Sequence, residues 1–306
     1  MQVPDSPTTL SGPAPEALRL AAAERLLGGR RADAEWFLRR LRDEGWHPED
    51  LWCSRTTTGP LLASALISRH PGRTATVALS ASKDRAQARE AAALLSAILD
   101  ALRHQGKVAL VQGMVTAEEP LAGEPFTQAG FLELATLACM ERPNNRAVPR
   151  VESRPGVELL PERAAGDLGA LLRETYEDTL DCPGLADLRR DEDILEGHRR
   201  GGNYDPDLWT VLRVEGRDAG AALLNRLPST GSVELTYLGL AKWARGMGLG
   251  SLLLDAALAK AATVPERVVS LAVDERNTPA ERVYRARMFR TVARRRAFAF
   301  ALKSST

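Results

Sequence analysis

The sequence predicts an α/β protein with a mixed sheet, built twice from one kind of unit. Three observations predict it. The stretch Val233 to Leu254, VELTYLGLAKWARGMGLGSLLL, reads as strand, turn and helix start. The element order of the first half, helix, helix, strands, helix, strand, strand, repeats in the second. Between the halves, residues 141–156 (ERPNNRAVPRVESRPG) are polar and Pro-rich, as a linker should be.

The elements follow in order. Residues 1–15 are polar and Pro/Ser/Thr-rich and read as a disordered tail. Pro15–Leu27 is a helical pattern stopped by Gly28-Gly29. Ala32–Glu44 is an amphipathic helix with Trp36, Phe37 and Leu41 on its apolar side, and Gly45 after it. Asp50–Arg55 and Leu61–Arg69 alternate like strands around Thr58-Gly59-Pro60. Thr74–Ser80 is a strand, Ala86–Arg103 a long helix, and Val108–Gln112 and Gly130–Met140 are strands. In the second half, Val157–Leu160 is a strand and Ala164–Thr175 a helix. Tyr176–His198 is a loop and a charged helix, with His198 at the helix end. Strands follow at Trp209–Val214, Ala219–Asn225 and Val233–Leu240, then a helix at Ser251–Ala262. Val268–Val273, Thr278–Arg287 and Arg294–Lys303 read as strand, helix and strand. The domains are therefore set at 16–142 and 157–306, joined by a linker at 143–156.

Composition excludes several classes. A net charge of +1 argues against a general nucleic-acid binder. Cys53, Cys139 and Cys182 are widely spaced and suggest neither a disulfide framework nor a zinc site. The four histidines show no metal-binding spacing, so no metal is expected. No run approaches the roughly 20 apolar residues of a membrane span, and the N-terminus lacks a signal-peptide pattern. The expectation is a cytoplasmic protein, with no nucleic-acid or membrane partner and an oligomeric state left open.

The chemistry concentrates at Arg245-Gly246-Met247-Gly248-Leu249-Gly250. Alternate glycines expose backbone N–H groups at a helix N-terminus, where the helix dipole favours an anion, above all a phosphate. Arg245 adds a positive charge at the mouth. A dinucleotide fingerprint needs its third glycine one residue later, and a P-loop needs Lys-Ser or Lys-Thr after the last glycine. Ser251-Leu252 follows instead. A ligand-free glycine turn is the bland alternative.

Arg-x-x-Gly-x-Gly after an apolar strand resembles the acyl-CoA pyrophosphate loop of the GNAT superfamily of N-acetyltransferases. The resemblance covers the chain from about Val157 onward, and the first half only by element order. It implies two tandem acetyltransferase-type domains. The first would be degenerate, since its corresponding turn, Ser80–Arg85, has no glycine. The tandem architecture is also similar to that of the mycothiol synthases, which acetylate an amino-sugar–cysteine conjugate.

The resemblance further implies acetyl-CoA as co-substrate, held by Arg245, Gly246, Gly248, Gly250 and Ser251. The backbone of Leu238 and Leu240 would meet its pantetheine arm, with Asn277 nearby. Glu234, eleven residues before Arg245, matches the catalytic glutamate of histone-type members; a solvated or Arg-paired carboxylate is the alternative. Glu234 shares a period-two face with Thr236, Leu238 and Leu240. Tyr284, in NTPAERVY, would protonate the departing thiolate or else pack in the core. Asn277 also suits a helix cap. The family continues with Gly-Phe where this chain has Met288-Phe289, and Lys242 replaces a frequent proline. Thr179 and Asp181 fall where the acceptor is recognised, and Asp181 suits an ammonium group. Cys182 reads as a loop residue.

The function implied is acetyl transfer to a primary amine of a small molecule. A protein N-terminal or lysine acetyltransferase, and a non-catalytic acyl-CoA-binding module, are the alternatives.

Overall fold

The computed structural model describes residues 9–43, 46–57, 59–144, 151–186 and 188–302. Residues 1–8 of the expected tail, Gly45, Thr58, the centre of the linker and Lys303 lie outside the described residues. By contact the chain forms two units. Unit 1 takes in the chain up to Arg69, Arg73–Glu133 and the segment from Arg296 onward. Unit 2 takes in His70–Gly72 and Leu134–Arg295.

Unit 1 begins with a strand inside the segment read as a tail. β1 (Thr9–Pro13) pairs antiparallel with β2 (Leu51–Thr56). Composition could not show this pairing, because the partner lies about forty residues away in sequence. Between them come α1 (Arg19–Leu26) and α2 (Arg31–Asp43). Gly28 and Gly29 end α1 in left-handed conformations. Phe37, Leu38 and Leu41 of α2 pack inward, but Trp36 stands 55% exposed with the Arg40 guanidinium over its ring. β3 (Leu61–His70), β4 (Thr74–Leu79), α3 (Arg85–Gln105), β5 (Leu110–Thr116) and α4 (Glu124–Gln128) follow. The sheet order is β1-β2-β3-β4-β5, with β4 and β5 parallel across the α3 crossover. Leu94, Leu95, Ile98 and Leu102 recur at helical spacing on α3 and bury against Ala65, Ile67, Val77 and Val111. Each such leucine contributes about 1.5–3 kcal/mol by burial.

Unit 2 uses a strand from the first half of the sequence. β6 (Leu132–Pro143) lies in unit 2 from Leu134 and pairs antiparallel with β12 (Val268–Asp274), from Leu137↔Asp274 to Pro143↔Val268. The remaining elements are β7 (Val157–Pro161), α5 (Leu168–Tyr176), α6 (Pro183–Ala186), α7 (Asp191–Arg200), β8 (Asn203–Tyr204), β9 (Thr210–Val214), β10 (Arg217–Leu227), β11 (Ser232–Leu240), α8 (Leu249–Ala261), α9 (Thr278–Ala286) and β13 (Arg290–Ala301). The order is β6-β12-β11-β10-β9-β7, with β8 on β10. α5 starts at Leu168 rather than Ala164 because Asp167 caps it, accepting from the Ala170 N–H at 3.0 Å. β13 starts in unit 2 and passes to unit 1 at Arg296, where Phe298 joins the core with Phe126 and Phe131. The sequence reading divided the domains at the linker; the units divide at Glu133/Leu134 and Arg295/Arg296.

Where the family has glycine, Met288 turns out of α9 with φ +68° and a 47% exposed side chain. A left-handed non-glycine residue costs about 1–2 kcal/mol. Met288→Gly relieves that strain but loosens the unfolded chain, so the net gain should be about 1 kcal/mol or less. Thermal unfolding should show a melting temperature raised by about 1–3 °C; a lowered one would refute strain at this turn.

Candidate active site

β11 leaves its neighbour partway along. It pairs parallel with β12 only from Ser232↔Val268 to Glu234↔Ser270, yet runs on to Leu240 beside β10. From Leu235 to Leu240 that edge has no strand partner among the described residues. Its backbone N–H and C=O groups form a template for an amide-bearing chain.

A bulge changes the faces of β11. Leu223 opposes Tyr237, but Leu224 opposes Leu235, so Thr236 is the extra residue. Val233, Leu235, Leu238 and Leu240 all face one core. Tyr237 faces the other core, with Trp209 and Leu171. Glu234 therefore lies opposite Leu238 and Leu240 and does not share their face, because the bulge resets the period-two alternation. It is half-buried, and burial pushes its carboxyl above the ordinary range.

The glycine loop takes the form an anion site needs. Gly246 and Gly248 have φ of +78° and +72°. Gly248 is the N-cap of α8, and among the described residues no side-chain cap bond is made there. Gly250 and Ser251 lie in the first turn of α8. The same point in unit 1 differs: Asp84 caps α3 by accepting from Gln87 N–H at 2.8 Å, and the Lys83 N–H donates to Gln87 Oε1. One helix spends its donors on itself and the other leaves them open.

Arg245 does not stand free at the mouth. Its guanidinium donates to the carbonyls of Leu240, Asp178, Thr175 and Glu177 at 2.7–3.1 Å. It ties the end of β11 to the end of α5. Arg154, which sequence reasoning passed over, donates to the Met247 carbonyl and lies 3.5 Å from where a Gly248 Cβ would sit. No local pattern marks it; a basic residue shortly before β7 is the only signal.

The loop after α5 is tied to the end of β12. Asp181 Oδ1 accepts from the Asp274 N–H at 2.8 Å, and Asp274 Oδ2 accepts from the Cys182 N–H. The Thr179 hydroxyl accepts from the Asp181 N–H. Asp181 is exposed at its outer edge, yet burial of the inner side pushes its carboxyl upward. Burial would also raise the Asp274 carboxyl, but the Arg276 side chain and the N–H groups of Arg276 and Cys182 outweigh this and hold it low. Burial and both aspartates push the Cys182 thiol up to about 12, so it is no thiolate nucleophile. Possible ligand atoms of Asp181, Cys182 and Asp274 lie within 4.8 Å of one another. Arg276 already neutralises Asp274, and a protonated thiol is a poor ligand.

Beside this loop is a cavity of about 40 Å³ lined by Tyr176, Thr179, Asp181, Cys182, Leu185, Arg189 and Ile194. At about 10–15 Å³ per water it fits an ammonium group, not a whole ligand. An aromatic group that sequence reasoning missed backs it. Tyr237 Oη lies 2.5 Å from the Thr175 hydroxyl, and the Tyr176 and His198 rings pack on Tyr237. His198 is thus more than a helix end: burial and Arg189 push its pKa down to about 4, so the ring is neutral.

Asn277 caps α9, accepting from Ala280 N–H at 3.3 Å. Tyr284 is buried in the core against Phe289, with ring centroids 5.8 Å apart. Burial, and then the Asp181 charge, push its phenol strongly upward, which also places it near the Asp181 loop. Its hydroxyl forms no hydrogen bond among the described residues.

Unit 2 thus combines a strand parted from its neighbour, an uncapped glycine turn and a buried phenol. Residues 172–289 match the family model described as Acetyltransferase (GNAT) family. This segment is similar to the GNAT acetyltransferases, a family of acyltransferases that take acetyl-CoA as co-substrate and amines as acceptors. Over its whole length the chain has the tandem acetyltransferase fold. It is similar to a GCN5-related N-acetyltransferase from Sphaerobacter thermophilus, with TM-score 0.61, 20% identity, and 99% of this chain and 98% of that one covered. It is also similar to a tandem GNAT protein from the clavulanic acid biosynthesis pathway, with TM-score 0.52, 15% identity, and 98% and 100% covered. No curated protein is similar to it in sequence. No helix among the described residues is long and apolar enough to cross a membrane.

Proposed function

We propose that unit 2 transfers the acetyl group of acetyl-CoA directly to a primary amine of a small molecule. The observation that carries this is the contrast between two helix N-termini: Asp84 closes the one in unit 1, and Gly248 leaves the one in unit 2 open. In this reading the N–H groups of Gly246, Gly248, Gly250 and Ser251 hold the pyrophosphate, and Arg154 adds charge beside them. Arg245 is a positioning residue. The free edge at Leu238 and Leu240 pairs with the pantetheine arm, near the amide of Asn277. Unit 1 carries no second acetyl-CoA site.

The bound thioester supplies an acyl carbon activated toward nitrogen. The chain supplies the proton movements. Asp181 and Thr179 hold the acceptor's ammonium group at the small cavity. The ammonium first loses one proton to solvent to become a nucleophilic amine, and Glu234, its carboxyl raised by burial, takes the second as the C–N bond forms, directly or through water. The C–N bond forms, the C–S bond breaks, and Tyr284 gives its proton to the departing sulfur. The volume of about 40 Å³ suits an ammonium group and nothing larger, and in this reading the acceptor is a small amine rather than a protein terminus or lysine.

The test is thiol release from acetyl-CoA over a panel of primary amines. Small amines should give turnover that saturates with acceptor. Glu234 works only as carboxylate, so the rate should fall as pH drops through its raised pKa. Glu234→Gln should lower the rate and abolish that acidic limb. Tight acetyl-CoA binding with no turnover on any amine would instead make the chain a binding module.

A further inference from the structure

Unit 1 contains a second, unrelated cavity. It has a volume of about 550 Å³ and lies between α1, α2 and the segment leading into β2. That is within the roughly 300–1,000 Å³ of small-molecule sites. Its apolar wall includes Leu20, Leu38 and Trp46, and its polar wall carries Arg19, Arg39 and Arg42. The opposing acids are Glu16 and Glu35. Glu35 is already bonded to Arg31 at 3.2 Å, which leaves the described lining residues with a positive excess.

One donor in this wall is unsatisfied. Arg19 Nε is buried and has no hydrogen-bond partner among the described residues. Nε is shielded from the open cavity as well, so an anion there would meet the outer nitrogens of the Arg19 guanidinium in a charge-assisted bond. The apolar wall sets the rest of the ligand. A bare inorganic anion would leave Leu20, Leu38 and Trp46 facing water, whereas a hydrocarbon body covers them.

We propose that this cavity binds a small apolar monocarboxylate, its carboxylate on Arg19 with Arg39 and Arg42 nearby, and its hydrocarbon body against Leu20, Leu38 and Trp46. The site is separate from the acetyl-transfer reading and does not depend on it. A ligand there gives unit 1 a binding role of its own.

The test is calorimetry of the full chain with octanoate, octan-1-ol and octylamine, below their aggregation limits. Octanoate should bind at one site per chain, and at least tenfold more tightly than octanol or octylamine. Arg19→Gln should weaken octanoate at least tenfold and leave octanol unchanged. Arg39→Gln, at the same wall, should weaken octanoate less and serves if Arg19→Gln fails to fold. Leu38→Trp should fill the cavity and remove octanoate binding, while acetyl-CoA binding stays unchanged. Equal affinity for octanoate and octanol, preference for octylamine, or no binding of any of the three would overturn the proposal. So would full octanoate affinity in the folded arginine variants.

Discussion

Gly248→Asp is expected to abolish acetyl-CoA binding, with the dissociation constant rising by about 10² or more, some 2.7 kcal/mol. Two effects add. Gly248 has φ +72°, where a side chain costs about 1–2 kcal/mol, somewhat less for aspartate. The new carboxylate would also sit at the N-cap of α8, where it can accept the first free N–H groups of the helix. Asp84 does this for α3 in unit 1. The variant would thus turn the open turn into the closed one and set a negative charge against a pyrophosphate. Gly248→Ala carries the strain without the charge and should lose about tenfold or less. Calorimetry would settle both, and wild-type protein should bind one acetyl-CoA per chain. Unchanged affinity in Gly248→Asp would remove the turn from the cofactor site. Two equivalent sites in the wild type would refute a degenerate first unit.

Tyr284→Phe is expected to lower kcat by about 10² or more while acetyl-CoA binding stays unchanged, as for loss of a positioned proton donor. The phenol is buried in the core, and that burial holds it protonated across the neutral range. The same surroundings disfavour a departing thiolate, so protonating sulfur as the bond breaks removes a charge the site cannot solvate. The hydroxyl forms no protein hydrogen bond among the described residues, so its removal should cost little stability. A single-turnover measurement separates chemistry from product release. A full-speed Tyr284→Phe enzyme would reduce Tyr284 to packing against Phe289.

Much of the fold and part of the site were legible because they are local. The strand, glycine turn and helix from Val233 onward need only β-propensity, glycine at left-handed positions and a run of leucines. The structure places β11 and α8 within two residues of that reading. The caps at Asp84, Asp167 and Asn277 obey short-range rules too, although only the last was read from the sequence. The tie between Asp181 and Asp274 was hidden, since it joins a loop to the end of a strand ninety-three residues away.

The sequence by itself determined an α/β chain with a glycine turn at a helix start, because helix starts, strand periods and glycine turns depend on neighbours along the chain. Only the tertiary structure decided which residues face each other. The bulge at Thr236 set Glu234 against the phase that period two predicts. The four carbonyls around Arg245 made a clamp of a residue that reads as a free cation. The exchange of β6 into unit 2 and the end of β13 into unit 1 moved the boundary between the units. Each depends on pairing between residues far apart in sequence. Such pairing is fixed by which apolar faces and strand edges can be satisfied together, and no window of sequence contains both partners.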